Sequence, residues 1–297
     1  MLKIGIDLGG TKTEAVILDD RGTIVERKRL NTGQEQGYGH VVKVVADLYT
    51  SMCDSISDRE HQLGIGTPGY TDGQGLIKNS SLLCLNDKPL ITDFERLSGR
   101  KPRTENDANC FAVAEALLGA GKGKEVVFGV IMGTGCGGGI VVNNSLVRGH
   151  QYLGGEIGHA VLHPGGRECF CGKRGCIERY ISGSGIEEGY LEKTGTRKRL
   201  QEIVDDYRRG DGVATEIMEH FFEDFGMAMS TLINILDPDQ IVLGGGVSNI
   251  DELYTIGIDK VRKNVFKEDP EILIAKNMHG DSAGVIGAAL LHDVRLM

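Results

Sequence analysis

The amino-acid sequence predicts an α/β protein with two domains. The chain has 297 residues, of which 40% are hydrophobic, and this length and composition suit two domains with sizeable cores. Segments typical of strands alternate with segments typical of helices, which is the pattern of the α/β class. A similar strand–turn–strand unit also occurs near the start of each half of the chain. Together these observations indicate a duplicated architecture.

The two similar units are IGIDLGGTKTEAVILDDRGTIVERKRL, residues 4–30, and FGVIMGTGCGGGIVVNNSLVRGH, residues 128–150. Each begins with an apolar strand, passes through a Gly/Thr turn into a second strand, and reaches a third strand after a polar turn. We interpret them as duplicated domains whose glycine turns face each other across a cleft. Two unrelated hairpins would leave the same pattern.

Helical spacing and helix-ending residues predict the elements that follow each unit. In the first half they are a helix over about 38–57, the strand QLGIGTPG at 62–69, and a helix after Asn106-Asp107. In the second half they are a helix over 213–236, the buried strand QIVLGGG at 240–246, a helix over 249–266, and a short helix of small residues at 282–293.

The glycine-rich run from Gly119 to Gly123 is the predicted domain boundary. It gives an N-terminal domain of 1–119, which also takes in the C-terminal helix of 281–297, and a second domain of 120–280.

Charge and hydropathy exclude several classes of protein. The net charge is -9 and the pI about 5.4, which argue against a nucleic-acid or anionic-membrane partner. The start, MLKIGIDLGG, has no apolar run of signal-peptide length, and no apolar stretch of 18 residues occurs elsewhere. Seven cysteines, three of them clustered, suit a reducing compartment. We therefore expect a soluble, cytoplasmic protein.

The most informative segment is GGEIGHAVLHPGGRECFCGKRGCIERY, residues 154–180. Three thiols, from Cys169, Cys171 and Cys176, and one imidazole make a complete tetrahedral set for zinc. The set leaves no position for a catalytic water, so the predicted metal is structural. His159 and His163 are rival ligands on the residues alone. A disulfide, which would leave one cysteine over, and three unrelated core cysteines are the competing interpretations.

Two glutamates, Glu156 and Glu178, lie just outside the predicted metal set. A loop fixed by a metal could hold both carboxylates in one pocket. The segment therefore predicts an active site beside a structural metal.

The glycine turns of the two units predict a site for nucleotide phosphates. Glycines at a strand-to-turn junction expose backbone N–H groups to phosphate oxygens, and a neighbouring carboxylate suits Mg²⁺. The residues concerned in the first unit are Asp7, Gly9, Gly10, Thr11 and Lys12, and those in the second are Gly133, Thr134 and Gly135. Neither turn matches GxxxxGK[ST] or GxGxxG, which excludes a P-loop and a Rossmann site.

A third glycine turn, Gly244-Gly245-Gly246, follows the strand QIVL. Ligands often bind at the ends of parallel strands, so this turn would contact the adenosine part of a nucleotide. The alternative is a plain strand–helix turn without a function.

The segment Asn106-Asp107-Ala108-Asn109 precedes a predicted helix. Asn and Asp are ordinary N-cap residues. The functional alternative makes Asp107 a general base that the helix N-terminus keeps ionised. Two polar turns of the first half, Gly66–Gly69 and Lys78–Ser81, are either simple loops or walls of a sugar pocket.

These motifs resemble the ROK family of sugar kinases, within the actin-like/hexokinase ATPase superfamily. The matching segments, in order along essentially the whole chain, are DLGGTKTE, GTPG, ENDANC, IMGTGCGGGI, GGEIGH, CFCGKRGCIE, LGGGVSN and HGDSAGVIGAA. The ExGH…CxCGxxGCxE stretch is the most specific. The resemblance implies a two-domain actin-like/hexokinase (ribonuclease H-like) ATPase fold with an interdomain cleft.

The resemblance also implies roles for the matching residues. Asp107 corresponds to the catalytic base, and His159 rather than His163 to the zinc ligand that completes the three thiols. The implied sugar-binding residues are Gly69, Asn79, Asn106, Asp107, Glu156, His159 and Glu178. The implied nucleotide-binding residues are Asp7, Gly9, Gly10, Thr11, Lys12, Gly133, Thr134, Gly135 and Gly245.

The expected cofactors are ATP, Mg²⁺ and a structural Zn²⁺, and the expected reaction is phosphorylation of a hexose. The runs IKNSSLLCLNDKPL and NILDPDQIVLGGGVSNIDELY resemble bacterial fructokinases of the manno/fructokinase type, so fructose is the favoured substrate. N-acetylglucosamine kinase and glucokinase or mannokinase are the alternatives. The resemblance also suggests a homodimer.

Two other classes compete with the kinase. Sugar-responsive repressors of the same family carry a DNA-binding domain ahead of the sugar domain, for which Asp7 follows Met1 too closely. A non-catalytic sugar sensor would not need both Asp7 and Asp107. The roles of Asp72 and Asp281 are open at this stage.

Overall fold

The protein is described by a computed structural model that covers residues 1–57 and 59–297. Its contacts divide the chain into two compact units. Unit 1 contains Met1–Gly123, Gly139–Gly154 and Asp281–Met297, and unit 2 contains Lys124–Gly138 and Gly155–Gly280. The main difference from the expected boundaries is Gly139–Gly154, which belongs to unit 1, because the second half of a strand and the loop after it pack there.

The strands are β1 (Leu2–Leu8), β2 (Lys12–Leu18), β3 (Ile24–Asn31), β4 (His61–Thr67), β5 (Tyr70–Thr71), β6 (Ile77–Lys78), β7 (Arg103–Asn106), β8 (Val126–Met132), β9 (Cys136–Val142), β10 (Ser145–Leu146), β11 (Gln240–Gly244), β12 (Ile274–Lys276) and β13 (Arg295–Leu296). The α-helices are α1 (Tyr38–Ser55), α2 (Leu90–Ser98), α3 (Asp107–Leu117), α4 (Glu178–Ile181), α5 (Gly183–Thr194), α6 (Leu200–Arg208), α7 (Gly212–Leu236), α8 (Ile256–Asn264) and α9 (Ala283–Leu290).

The main sheet of unit 1 has the order β3-β2-β1-β4-β7. Strands β1, β2 and β3 form antiparallel pairs, as the first repeated unit predicts, whereas β4 and β7 extend the sheet in parallel from β1. Helix α1 covers one face, and its buried side chains join those of β1, β2 and β4 in a single apolar core. The separate hairpin of β5 and β6 follows β4.

Helix α9 packs against β1 and β4 at backbone distance because glycines leave the room. A Cβ atom at Gly64 of β4 would lie 1.8 Å from the carbonyl oxygen of Ala288, and one at Gly5 of β1 would lie 2.2 Å from that of Val285. On another side of α9, Gly287 touches α3, where a Cβ would lie 1.7 Å from the oxygen of Cys110. The expectation of a closely packed C-terminal helix is confirmed.

The sheet of unit 2 runs β12-β11-β8-β9, with β12, β11 and β8 parallel to one another. Strand β9 leaves unit 2 after Gly138, and its last residues pair with β10 in unit 1. The third strand of the second repeated unit is therefore only the two residues of β10, which also pairs with β13. Helices α7 and α8 pack on each other, and the phenylalanines of α7 are buried.

One predicted helix is interrupted. The segment 249–266 contains a short 3₁₀ turn, Asp251–Tyr254, and then α8, because Thr255 between them has the non-helical angles φ -125° and ψ -80°. The other predicted helices are present: residues 38–57 contain α1, 213–236 lie within α7, and the helix expected after Asn106-Asp107 is α3.

Within the described ranges, no helix is both long enough and apolar enough to cross a membrane.

Candidate functional site

The glycine turn of unit 1 joins β1 to β2 and is held from the neighbouring strand. The Gly9 N–H donates to the Lys12 carbonyl at 3.1 Å, which closes the turn. The Thr32 hydroxyl donates to the Gly9 carbonyl at 2.7 Å, and the Thr32 N–H donates to the Thr11 carbonyl at 2.9 Å. Thr11 and Lys12 remain exposed beside Gly10. Hydrogen bonds thus hold the turn, which exposes the Thr11 hydroxyl, the Lys12 ammonium group and the backbone near Gly10.

Asp7 lies one residue before the end of β1, and glycines surround its carboxylate. A Cβ at Gly284 would lie 2.9 Å from Asp7 Oδ2, and one at Gly66 would lie 3.5 Å from Asp7 Oδ1. The pKa of Asp7 is raised to about 7, first by burial and then by the neighbouring carboxylates of Asp107 and Glu14, while Lys12 partly opposes the rise. A nearby cation would stabilise the ionised form of such a buried carboxylate and lower its pKa.

Glu14 is a site-forming residue that the sequence analysis missed. It pairs with Asp7 across the antiparallel β1–β2 ladder, so the two acidic side chains are direct neighbours. Its own carboxylate is buried and forms ion pairs with Arg27 at 2.5 Å and Arg29 at 2.6 Å. The signal in the sequence was the antiparallel pairing predicted for this hairpin, which places residues 7 and 14 opposite each other.

Asp107 is the first residue of α3, and Asn106 is its N-cap. The Ala108 N–H donates at 2.8 Å both to Asn106 Oδ1 and to Asp107 Oδ1. The position at the positive end of the helix favours the ionised carboxylate. Asp107 is exposed, while the residues of α3 that follow it are buried. Its carboxylate is therefore held near a fixed backbone and is accessible.

The other predicted sugar-binding residues of unit 1 adjoin Asn106. The Asn106 side-chain amide donates to the Gly69 carbonyl at 3.1 Å. Gly69 has φ +80°, and a Cβ there would lie 2.9 Å from the backbone of Ser80, next to Asn79. Contacts thus bring Asn79, Gly69, Asn106 and Asp107 together.

Asp72 has a structural position. Its carboxylate accepts from the N–H groups of Gln74 at 2.8 Å and Leu76 at 3.0 Å, and it lies 3.7 Å from Lys78 Nζ. These contacts close the turn between β5 and β6. Asp281 lies in the 3₁₀ turn Gly280–Ser282 that leads into α9.

In unit 2 the glycine turn between β8 and β9 contacts two other predicted site segments. A Cβ at Gly245 would lie 2.9 Å from the Gly133 nitrogen, so these two glycines adjoin. The Cys136 N–H donates to Glu178 Oε2 at 3.1 Å, and a Cβ at Gly135 would lie 2.4 Å from the same oxygen. Thr134, at the tip of the turn, is exposed. The turn and Glu178 therefore form one local arrangement.

Glu156, His159 and Glu178 share a partly buried region of unit 2. Burial raises the pKa of Glu156, His159 lowers it, and Glu178 raises it. The Cys169 thiol lies 3.7 Å from Glu178 Oε1 and 3.6 Å from His159 Nδ1. The predicted sugar-binding residues of this unit therefore adjoin the predicted metal ligands.

The structure groups His159 with Cys169, Cys171 and Cys176, whose four candidate ligand atoms all lie within 4.8 Å of one another. The Cys171 and Cys176 sulfurs are 3.6 Å apart. A tetrahedral zinc with Zn–S distances of about 2.3 Å separates neighbouring ligand atoms by about 3.8 Å, so the donor set fits that ion. His163 lies elsewhere, with Nε2 at 2.6 Å from Asp224.

Comparisons with known proteins identify the family of this chain. Residues 3–294 match the family model described as the ROK family. The chain belongs to the ROK family. It is 34% identical to an N-acetyl-D-glucosamine kinase of Yersinia pseudotuberculosis over 97% of this chain and 98% of the relative.

Two solved structures share the ROK fold with this chain. The ROK hexokinase of Thermus thermophilus is 32% identical with a TM-score of 0.88, over 98% of this chain and 97% of that one. A ROK-family glucokinase of Streptomyces griseus, solved with glucose and AMPPNP, is 29% identical with a TM-score of 0.81, over 98% of this chain and 99% of that one. The expected actin-like/hexokinase fold class is confirmed, and the comparisons support a sugar kinase.

The sequence analysis also missed an ion pair beside the Asn106-Asp107 segment of this ROK chain. Glu105 is buried, and its Oε1 lies 2.7 Å from Arg148 Nε. The Asn109 side-chain amide donates to Glu105 Oε2 at 3.2 Å. The pair joins the end of β7 to the loop after β10. The polar ENDAN sequence hinted at Glu105, but nothing in the sequence pointed to Arg148.

Asp7→Asn should stabilise the free protein, and more so at high pH. The raised pKa means that the stability linked to the Asp7 proton is complete below its ordinary value of 3.8 and is lost as pH rises through about 7. Because one pKa unit is worth about 1.4 kcal/mol, we expect the variant's gain in unfolding free energy to be roughly 2–3 kcal/mol larger at pH 8 than at pH 5. Chemical denaturation of nucleotide-free protein without Mg²⁺ measures this.

Asp72→Asn is the matched control for that experiment. Backbone N–H groups lower the pKa of Asp72, so its replacement should give no gain at pH 8. An equal gain for Asp7→Asn at both pH values would contradict the burial of an ionised carboxylate.

Proposed function

We propose that this ROK-family chain is an ATP-dependent hexose kinase whose preferred substrate is N-acetylglucosamine. The observation that carries the choice of sugar is the 34% identity to an N-acetyl-D-glucosamine kinase over nearly the full length of both chains. The fructokinase subtype expected from the sequence receives no support from the comparisons, which favour the stated alternative. Fructose is therefore the rival substrate in the test below.

The glycine turns support nucleotide binding. In unit 1, Gly9, Gly10, Thr11 and Lys12 would bind phosphate oxygens, since the turn is rigid and its donors are exposed. The enclosed carboxylate of Asp7 fits the Mg²⁺ that accompanies ATP, because burial and neighbouring carboxylates raise its pKa and a cation would stabilise its ionised form. In unit 2, the segments Gly133–Gly135 and Gly245 adjoin each other and would contribute in the same way.

Asp107 would act as the general base. A sugar hydroxyl oxygen attacks the γ-phosphorus of ATP, the bond to the β-phosphate oxygen breaks, ADP leaves, and the Asp107 carboxylate accepts the hydroxyl proton. Asp107 lies in the first turn of α3, where the helix dipole stabilises negative charge, and Asn106 is fixed to Gly69 beside it. Positioning and charge neutralisation supply most of the catalysis in phosphoryl transfer, and this arrangement suits both.

Each unit has polar side chains that would suit sugar hydroxyl groups. In unit 1, Asn79 and Asn106 would offer amide donors and acceptors. In unit 2, Glu156 and Glu178 would offer carboxylate acceptors and His159 a ring nitrogen. Glu156 and Glu178 are partly or fully buried, and such carboxylates discriminate strongly for hydroxyl groups because a missing partner leaves them unpaired.

Zinc would be held by His159, Cys169, Cys171 and Cys176, where it would supply a structural crosslink without an open coordination position. His159 Nδ1 faces Cys169, which leaves Nε2 for a sugar hydroxyl. His159 would thereby connect the metal to the sugar and fix the ring orientation. The homodimer implied by the resemblance stays a prediction.

The substrate is tested by sugar-dependent ADP release with Mg-ATP against N-acetylglucosamine, fructose, mannose and glucose. We expect the highest kcat/KM with N-acetylglucosamine, because that is the sugar named in the relatives' activity. A higher kcat/KM with fructose would restore the manno/fructokinase interpretation. No release with any of the sugars would contradict the hexose kinase.

Asp107→Ala should bind sugar but lose roughly 10²–10⁴-fold in kcat, the usual contribution of a general base. Sugar binding is followed by calorimetry and kcat by ADP release. Asp211→Ala is the control, because Asp211 also accepts a backbone hydrogen bond at a helix N-terminus, from Ala214 at the start of α7. Activity of Asp107→Ala within tenfold of wild type would overturn the assignment.

Cys171→Ser should lower the zinc content and raise the KM for sugar while leaving the KM for ATP unchanged. The physical reason is that the loop between His159 and Glu178 loses one of its three thiol ligands. Zinc is measured by elemental analysis, and Cys84→Ser, at a half-buried cysteine of unit 1, is the control. Full zinc content with unchanged sugar kinetics would refute both the ligand and its positioning role.

A further inference from the structure

The chain between His159 and Glu178, residues 160–177, is called the metal loop below. The three thiols that would bind zinc all lie in its second half, after residue 168. Its first half contains none of the four grouped ligands, yet side-chain contacts of its own tie it to the helices of unit 2. The metal loop therefore has a second set of restraints, formed by protein atoms alone.

The central contact joins the metal loop to helix α7. His163 Nε2 donates to Asp224 Oδ1 at 2.6 Å, and the side chain of Asp224 is only 14% exposed. The His163 ring also lies edge-on against Tyr180 of α4, with ring centroids 4.5 Å apart. A carboxylate enclosed to this degree needs a partner, and His163 is a hydrogen-bonding partner from the metal loop.

Arg167 extends the attachment. Its backbone N–H donates to the Tyr180 hydroxyl at 2.8 Å, and its Nη1 donates to the carbonyls of Arg179 and Gly185 at 2.8 Å each. Its Nε and Nη2 bind Glu192 of α5. Nearly the full donor set of the guanidinium is thus used to hold the loop, and none of these contacts needs a metal.

The two halves of the metal loop are tied to each other beside this attachment. The Gly175 N–H donates to the Arg167 carbonyl at 2.8 Å, and the Leu162 N–H donates to the Gly175 carbonyl at 2.7 Å. Gly175 has φ +79°, and a Cβ there would lie 1.7 Å from the His163 carbonyl oxygen. Restraining His163 therefore also restrains the segment next to Cys176.

A cavity of about 330 Å³ lies where the metal loop meets α5 and α7, lined among others by His163, Arg167, Tyr180, Phe221 and Asp224. The loop is consequently held here by a few polar contacts rather than by a filled apolar core. Segments with few apolar contacts open locally at low free energy, so each polar contact has a large effect on their order.

We propose that Asp224 is a positioning residue which, through His163, holds the metal loop on α7 independently of zinc and thereby helps to place His159 and Glu178 at the two ends of the loop. The effect on sugar binding rests on the kinase proposed above; the effect on loop order does not.

Amide hydrogen exchange of residues 160–177 tests the proposal directly in the full chain after chelation of metal, without sugar or ATP. Asp224→Ala should speed exchange in this segment about fivefold, since one hydrogen bond contributes that much to local stability. His163→Phe, which keeps a ring against Tyr180 and loses the bond, should have the same effect, and the double variant should add nothing further. His220→Ala, one helical turn from Asp224 and lining the same cavity, should leave loop exchange unchanged.

Unchanged exchange in Asp224→Ala, or full exchange of the loop in chelated wild-type protein, would overturn the metal-independent attachment. In zinc-loaded protein, Asp224→Ala should raise the KM for sugar about fivefold with the KM for ATP and kcat within twofold. A lower kcat or a lower melting temperature without a change in the sugar KM would mean that Asp224 is only structural. Absence of sugar turnover in the wild type would contradict the kinase but leave the exchange result decisive for the loop.

Discussion

Enclosed negative charge is the constraint on which the site of unit 1 depends. Burial and two neighbouring carboxylates, Asp107 and Glu14, disfavour the ionised form of Asp7, and Lys12 opposes them only in part. Glu14 has its own arginine partners, so its charge is compensated inside the protein. Among the described residues, only Lys12 lowers the pKa of Asp7, and a bound cation would add to that effect. In the proposed function, the stability that unit 1 loses in the free state would be offset when a cation binds, a trade-off known from functional sites.

Backbone packing is what makes that enclosure physically possible. Helix α9 approaches β1 and β4 so closely that Gly5 and Gly64 have no space for a Cβ atom, and Gly284 of the same helix adjoins the Asp7 carboxylate. A larger residue at these positions would push the helix outward and let water reach the acid. The small residues of α9 therefore set the dielectric environment of Asp7 as well as the packing of the core.

Unit 2 is organised differently, because its predicted sugar-binding residues His159 and Glu178 lie at the two ends of a long, largely exposed loop. Glu178 accepts from Cys136 on the glycine turn and adjoins the Cys169 thiol, so one carboxylate is in contact with both the predicted nucleotide and metal segments. The thiol cluster lies in one half of the loop, and His163 contacts Asp224 from the other half. In unit 2 a few polar contacts therefore hold the loop, whereas in unit 1 an apolar core holds the corresponding elements.

The sequence by itself determined the α/β class, both glycine hairpins, the start of α3 and the cysteine cluster, because strand alternation, helix caps and ligand spacing are local properties of the chain. Its residues left His159 and His163 as rivals. Only the tertiary structure separated them, by pairing His163 with Asp224, 61 positions away. The same holds for Glu105 and Arg148, and for the break in the segment 249–266. Contacts between distant segments depend on how whole elements pack, and local periodicity carries no information about which side chains then meet.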